Sequence, residues 1–424
     1  MRTAVLLAVL AATPTALAEG PQSVYEQDLH GVPDAMLGTV GEGVPDGVRV
    51  RDGFRVTIAS PEFDEARFMQ LGDDGTLYLS QPKAGRILSL RDADGDGVYE
   101  QQAVFYEGQD ENPHSMDFHD GKLWFTASEP GYLKTAADSD GDGVADDVQT
   151  IIEPGRSDGI PSGGGHPFRG VLVQPEHNRV LVMVTDPGNM TVELDSDRKK
   201  VYAFDLNGTN RREYAGGLRN TEKLRHRLAA DGSETGEVWG ADHGSDWIGK
   251  EYGEGRDTGQ AITDLGPPDE FNRIDDGGFY GHPYLMADRR PRPEFRDRDD
   301  LLELAQKTVP AMWSFQAHSA NNGFAFATAE TGSLFGEPEM TGDVFQAQHG
   351  SWNSSVPVGY AVVRLLFDEA TGRPYGEQKI VDAHTGQGGR SGVALRPVDC
   401  AIAPDGSVLF TCSVTKRVYR LSPE

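Results

Sequence analysis

One pattern recurs along this chain: a tight Asp-Gly turn, an alternating strand, a short loop and a second alternating strand. Its clearest copies are LGDDGTLYLSQPKAGRILSL, from Leu71 to Leu90, and IAPDGSVLFTCSVTKRVYRL, from Ile402 to Leu421. Weaker copies run from Phe118 to Ala136, from His166 to Phe204, from Arg219 to Ile274 and from His318 to Leu365. A unit this small cannot bury both of its faces alone, so its copies must pack on one another. Six units of four-strand size predict an all-β chain folded as a six-bladed β-propeller of antiparallel blades with long loop insertions. The 52 glycines and the scarcity of helical periodicity agree with turn-rich β structure.

The phase of the repeat carries the functional argument. The first strand of every propeller blade lines the central channel, so the residues just before it gather at one mouth. Counting back from each turn gives Arg67, His114, His166, Arg219 with Asn220, His318 and Arg396. Such a ring predicts a cationic pocket for an anionic cofactor or substrate; the alternative is a set of separate salt bridges. Within the ring, GGGHPFRGVLVQPEHNRVLVMVTD (Gly163 to Asp186) reads as a glycine-rich approach to a hairpin, with Val171 and Val173 leading out and Val180 to Val184 returning. Antiparallel pairing brings Asp186 back beside His166, the arrangement of a general base with its supporting acid. Taken alone, the stretch also reads as a polar hairpin end whose histidine satisfies local backbone.

Charge narrows the partners. With 39 basic and 67 acidic residues the formal net charge is −28, which repels nucleic acid and anionic membrane surfaces. Arg2, the apolar run Ala4 to Ala12 and Ala16-Leu17-Ala18 read as a signal peptide over residues 1–18, too short to span a bilayer. The expected location is therefore periplasmic or secreted. Residues 19–50 read as a leader or closing outer strand, and 51–424 as the propeller. The only cysteines, Cys400 and Cys412, flank the turn at Pro404-Asp405-Gly406; a cross-strand disulfide and two separate thiols both fit that spacing.

Two acidic turns, Asp92-Ala93-Asp94-Gly95-Asp96-Gly97 and Asp138-Ser139-Asp140-Gly141-Asp142-Gly143, match the first half of an EF-hand loop. Ala103 and Gln149 stand where the bidentate glutamate would be. Both a truncated calcium turn and a plain Asp-Gly turn fit, and neither is catalytic. Residues 246–268 and 284–312 are long insertions, the second with a short helix near Asp299 to Lys307, and both are expected to shape a pocket rim.

A family resemblance then enters on an ordered set of motifs. Gly217-Leu218-Arg219-Asn220, Trp239-Gly240-Ala241-Asp242-His243-Gly244, Pro268-Asp269-Glu270-Phe271-Asn272-Arg273-Ile274, Tyr280-Gly281-His282-Pro283-Tyr284, His349-Gly350-Ser351-Trp352-Asn353 and Arg396-Pro397-Val398-Asp399 follow one another. From about residue 55 onward the chain resembles the soluble quinoprotein sugar dehydrogenases, nearest their sorbosone dehydrogenase-like branch. The resemblance implies pyrroloquinoline quinone (PQQ) and calcium at the channel mouth. It places the catalytic base on His166, its support on Asp186, the PQQ-contacting pair on Arg219 and Asn220, and a carboxylate clamp on Arg396. Main-chain calcium ligands fall at Gly244 and Ser245. His114 and His318, from the mouth ring, complete the candidate cofactor contacts. Val398 stands where the glucose-specific branch has a second arginine, and Ser245 where that branch often has proline.

The implied activity is oxidation of an aldose or related hydroxy-aldehyde, with electrons passed to a separate quinone or cytochrome. Two other classes stay open. One is a calcium-dependent sugar-lactone hydrolase, which needs carboxylate and Asn side chains around a channel metal. The other is a binding propeller without catalysis, because fold alone does not choose a function.

Overall fold

The computed structural model describes residues 32–33, 36–249, 260–384 and 392–424. The expected signal peptide, residues 19–31 of the leader and part of the first insertion lie outside them. Six antiparallel sheets of four or five strands make up the fold. Their first strands are Met69–Leu71, Pro113–His119, Val171–Gln174, Thr221–Leu228, Asn321–Phe326 and Pro397–Ile402, which open blades 1 to 6. Each of these strands packs beside the next, and the sixth returns to the first, so the ring is closed. The six-bladed propeller expected from the repeat is the observed fold.

Closure comes from the N-terminal side. Phe54–Ile58 pairs with Arg417–Pro423, with Leu421 opposite Val56, and so supplies the outer strand of blade 6. Within the leader, Thr39–Val40 adds a parallel edge to that blade and Arg49–Val50 adds an edge to blade 5. Apolar side chains fill the spaces between blades. Phe345, Val362, Phe410 and Tyr419 share one buried cluster between blades 5 and 6, and Leu181, Val201, Leu224 and Val238 share another between blades 3 and 4. Alternation in the sequence produces this, because each inter-blade face takes every second residue of a strand.

A local irregularity recurs at the mouth. Blades 2, 4, 5 and 6 carry a register shift between the first and second strands, at Pro113/Met116, Thr221/Leu224, Asn321/Phe324 and Pro397/Cys400. Each gains one residue on the inner strand, which bends it and re-aims the side chains that follow. The register set by the turn keeps the cysteines out of step: Cys400 lies opposite Phe410 and Cys412 opposite Pro397, and both are buried free thiols. Of the two readings open in the sequence, two separate thiols is the observed one. In the second insertion the expected helix forms at Leu301–Lys307. Among the described residues no helix is long and apolar enough to cross a membrane.

Candidate active site at the channel mouth

His166 reaches the mouth through its glycine approach. Gly164 has φ +111°, a conformation that strains any residue with a Cβ. A Cβ on Gly165 would come within 2.8 Å of the Pro187 carbonyl. The chain thus runs tightly against the far end of the hairpin and sets His166 Nδ1 at 2.9 Å from the Asp186 main-chain carbonyl. A carbonyl only accepts, so Nδ1 carries the proton and Nε2 presents a lone pair. Burial, then the positive charge of Arg219, push the His166 pKa down to about 3. The ring is therefore an unprotonated base at neutral pH.

Asp186 supports this base through its backbone and not through its carboxylate. The carboxylate accepts from Gly188 N at 2.9 Å, Thr191 N at 3.0 Å and His282 Nε2 at 2.8 Å. Against the upward push of burial, these hydrogen bonds, that of His282 foremost, hold Asp186 well below the usual carboxylate range. The side-chain dyad expected from hairpin geometry is replaced by a His282–Asp186 pair that braces the turn from which the carbonyl projects.

Arg219 and Asn220 sit where the phase of the repeat put them. Arg219 donates from Nε to Asn189 O at 2.7 Å and from Nη2 to Asn189 Oδ1 at 3.0 Å; Asp246 lies 3.9 Å away. The amides of both residues are anchored on the buried Asp242 carboxylate. Asn220 Nδ2 donates to His243 Nδ1 at 3.0 Å, which assigns the ring proton of His243 to Nε2, donated to Asn321 O at 2.9 Å. Arg396 donates from Nε to His349 O at 3.0 Å and from Nη2 to Gly350 O at 3.2 Å. Burial, together with Arg396, Arg67 and His243, keeps His349 unprotonated.

Two members of the expected ring stand elsewhere. His114 is fully buried, stacked at 3.8 Å on Phe168 and tilted at 4.2 Å against Phe68, with Nε2 3.8 Å from Glu222. It forms part of the channel floor under Arg67, whose guanidinium lies over the Phe168 ring and 3.5 Å from Glu222. His318 Nε2 is 2.6 Å from the Thr263 carbonyl, so that ring is spent on holding the first insertion. Phase placed both residues correctly along their strands but could not show what covers them.

The loop after Asp242 carries Gly244 and Ser245. Gly244 N donates to Asp269 Oδ1 at 2.8 Å, and a Cβ on Gly244 would fall 2.6 Å from Pro268 O and 2.7 Å from Pro267 O. Ser245 Oγ accepts from the buried Arg292. A cavity of about 20 Å³ opens here, lined by Asp242, Gly244, Ser245, Pro267, Pro268 and Glu270, by the cationic side chains of Arg219 and Arg292, and by His243, His282, Tyr280, Leu285 and Met286. Burial, then the neighbouring Asp242 and Asp269, push the Glu270 carboxyl up to about 8. The space is the size of one ion or water; Asp242, Glu270 and the loop backbone offer it oxygen donors, while Arg219 and Arg292 bring positive charge to the same wall.

The acidic turns are remote from the mouth. Each joins the third and fourth strands of its blade, at the same end as the Asp-Gly turns and therefore at the opposite end of the channel. In each turn the carboxylates converge, Asp92, Asp94 and Asp96 with Glu100, and Asp138, Asp140 and Asp142 together. Sequence reasoning missed Glu222, His243, His349, Asn189 and His282. His243, His282 and His349 each stood in one of the ordered motifs without a role assigned to them, whereas nothing in the sequence pattern marked Asn189 or Glu222.

These features define a class: a six-bladed propeller whose channel mouth gathers arginines, unprotonated histidines and a carbonyl-lined loop. A family model described as TrAA12-like matches residues 48–424, and the chain belongs to that family. The PQQ domain of pyranose dehydrogenase from Coprinopsis cinerea, in its holo form, superposes with a TM-score of 0.70 at 16% identity, over 91% of this chain and 100% of that one. A calcium structure of a Trichoderma reesei member of Carbohydrate-Active Enzymes family AA12 gives 0.69 at 16% identity, over 91% and 99%. At that identity the likeness is one of fold. An uncharacterized protein of Borreliella burgdorferi is 26% identical over 266 residues; the match spans 60% of this chain and 60% of that relative.

Proposed function

We propose that this protein is a PQQ- and calcium-dependent oxidoreductase of an aldose or related hydroxy-aldehyde, acting in the periplasm or outside the cell. The observation that carries the reading is His166, a neutral imidazole with Nδ1 tied to a carbonyl and Nε2 left as a base beside the cationic Arg219. The family, and the PQQ and calcium named for its structural neighbours, support the cofactor pair. The sorbosone dehydrogenase-like branch remains the motif-level reading of the substrate class.

The residues fit these groups. PQQ is a tricarboxylate, and Arg219, Arg396 and Arg67 supply guanidinium charge around the mouth while the histidines stay neutral. Asn220 Oδ1 is a buried polar atom without a partner among the described residues, as expected where a polar ligand completes the bonding. Calcium would be held on the Gly244 and Ser245 main chain. When bound, the quinone supplies a two-electron acceptor and calcium a Lewis acid that polarises it.

The chain does the rest. His166 Nε2 accepts the sugar hydroxyl proton, and the Asp186 carbonyl keeps the ring in the tautomer that can do so. Arg219, held from two sides by Asn189, fixes the anionic partner. Electrons leave to a separate quinone or cytochrome. The lactone-hydrolase reading loses support from the mouth itself, where Asp186 and Asp242 spend their carboxylates on His282 and on main-chain amides.

The test is dye reduction by the purified protein with PQQ and calcium across a panel of aldoses. Wild type is expected to be active on some sugar and His166→Ala to lose about 10²- to 10⁴-fold in kcat with PQQ binding retained. Absence of any spectral change or thermal stabilisation on adding PQQ refutes the cofactor assignment.

A further inference from the structure

The turn from Asp186 to Thr191 joins elements that the sequence keeps far apart. The Asp186 carboxylate, held by His282, caps Gly188 N and Thr191 N and so shapes the turn. That shape puts two acceptors of Asn189, its main-chain O and its Oδ1, on one guanidinium, that of Arg219. Oδ1 also accepts from Asp246 N at 2.8 Å, one residue past Ser245. Both neighbours of Oδ1 are donors, so the amide orientation is fixed by chemistry. The remaining group, Nδ2, is buried and without a partner among the described residues.

We propose that Asn189 is a positioning residue that locks Arg219 and the Gly244–Ser245 loop into one arrangement, coupling the anion clamp to the cation site. This rests on the PQQ and calcium reading above. Asn189 stands on the turn whose first residue also holds His166 Nδ1, so base, clamp and metal loop share one rigid support. Removing its side chain frees the Arg219 Nη2 and Asp246 N donors together while leaving the Nε bond to the Asn189 carbonyl. PQQ and calcium should therefore both bind less tightly, and the loss of one should be transmitted to the other.

The test uses the full mature protein and two probes, PQQ followed by absorbance and calcium followed by thermal shift. Asn189→Ala is expected to raise the PQQ half-saturation by about tenfold to a hundredfold, the range for a charge-assisted bond, and to raise the calcium midpoint in the same direction. In an Arg219→Ala background the same substitution should add less than about twofold to the PQQ loss, because the residue acts through Arg219. Asn189→Ala binding both probes like wild type, or losses that multiply in the double variant, overturns the assignment. If the alanine variant does not fold, Asn189→Ser carries the question: its shorter hydroxyl cannot reach both donors, and wild-type binding there overturns the proposal equally. A wild-type protein silent to both probes overturns the cofactor reading, and this inference with it. A responsive wild type with an unchanged variant overturns this inference alone.

Discussion

Asp399→Asn tests how the channel is tied across its width. Lys223, on the inner strand of blade 4, is ion-paired to Asp399 on that of blade 6, with side-chain exposures of 2% and 0%. Asp399 Oδ2 also accepts from Met69 N of blade 1 at 2.8 Å, and Lys223 Nζ donates to Cys400 O at 3.1 Å. Burial drives both partners toward their neutral forms: Asp399 rises, and Lys223 falls to about 8. Asparagine keeps the shape and removes the counter-charge. A stranded buried charge costs about 3–5 kcal/mol, but Lys223 can escape by losing its proton. At pH 7 that escape limits the charge penalty to about 1–2 kcal/mol, the cost of titrating a group one unit below its pKa; at pH 6 the limit is about 3 kcal/mol. The sign follows from linkage. The folded Lys223 pKa lies below the unfolded value of about 10.4, so the unfolded chain binds more protons between them and stability rises with pH in that window. The variant lowers the folded value further and extends the window downward. Wild type and variant should therefore converge above pH 8 and separate below it. Urea unfolding at pH 9, 7 and 6 reads the difference directly. A gap that does not change with pH, or none at pH 6, refutes the account of Lys223 as a charged bridge.

Gly323→Ala would put a Cβ 1.8 Å from Asp399 Oδ1; it should cost about 1–3 kcal/mol and show the same pH signature, measured by the same unfolding series. His166, His282, His114 and His349 all have pKa values lowered chiefly by burial. Unfolding raises them toward about 6.5, so stability falls as pH falls below that value; for His166, whose folded value is about 3, the loss is about 1.4 kcal/mol per pH unit in between, and His166→Gln should reduce the slope of ΔG against pH by one proton between pH 6 and 4. Chelation of the protein loaded with PQQ and calcium should lower its melting temperature, with recovery on adding calcium at a hundredfold over its Kd worth about 2.7 kcal/mol; a melting curve indifferent to chelator and calcium refutes the metal site.

The sequence by itself determined the architecture. The Asp-Gly turns and period-two alternation fix strand after strand, and no unit can bury its faces without a neighbour, so a closed ring of six follows. It also determined which residues precede each inner strand, and hence that Arg219, Asn220, Arg396 and His166 come to the mouth. What each side chain touches was decided only by the tertiary structure. The bulges at Pro113/Met116, Thr221/Leu224, Asn321/Phe324 and Pro397/Cys400 break the alternation where it matters most. Lys223 and Asp399 consequently meet across the channel, although no local pattern relates them. His114 was legible as a mouth residue, but its burial depends on Phe68 and Phe168 arriving from two other blades. Asp186 was legible as the partner of His166, yet its carboxylate is claimed by His282, 96 residues further on. Short-range periodicity records the path of the backbone, whereas hydrogen bonds between blades depend on distances that only the closed ring sets.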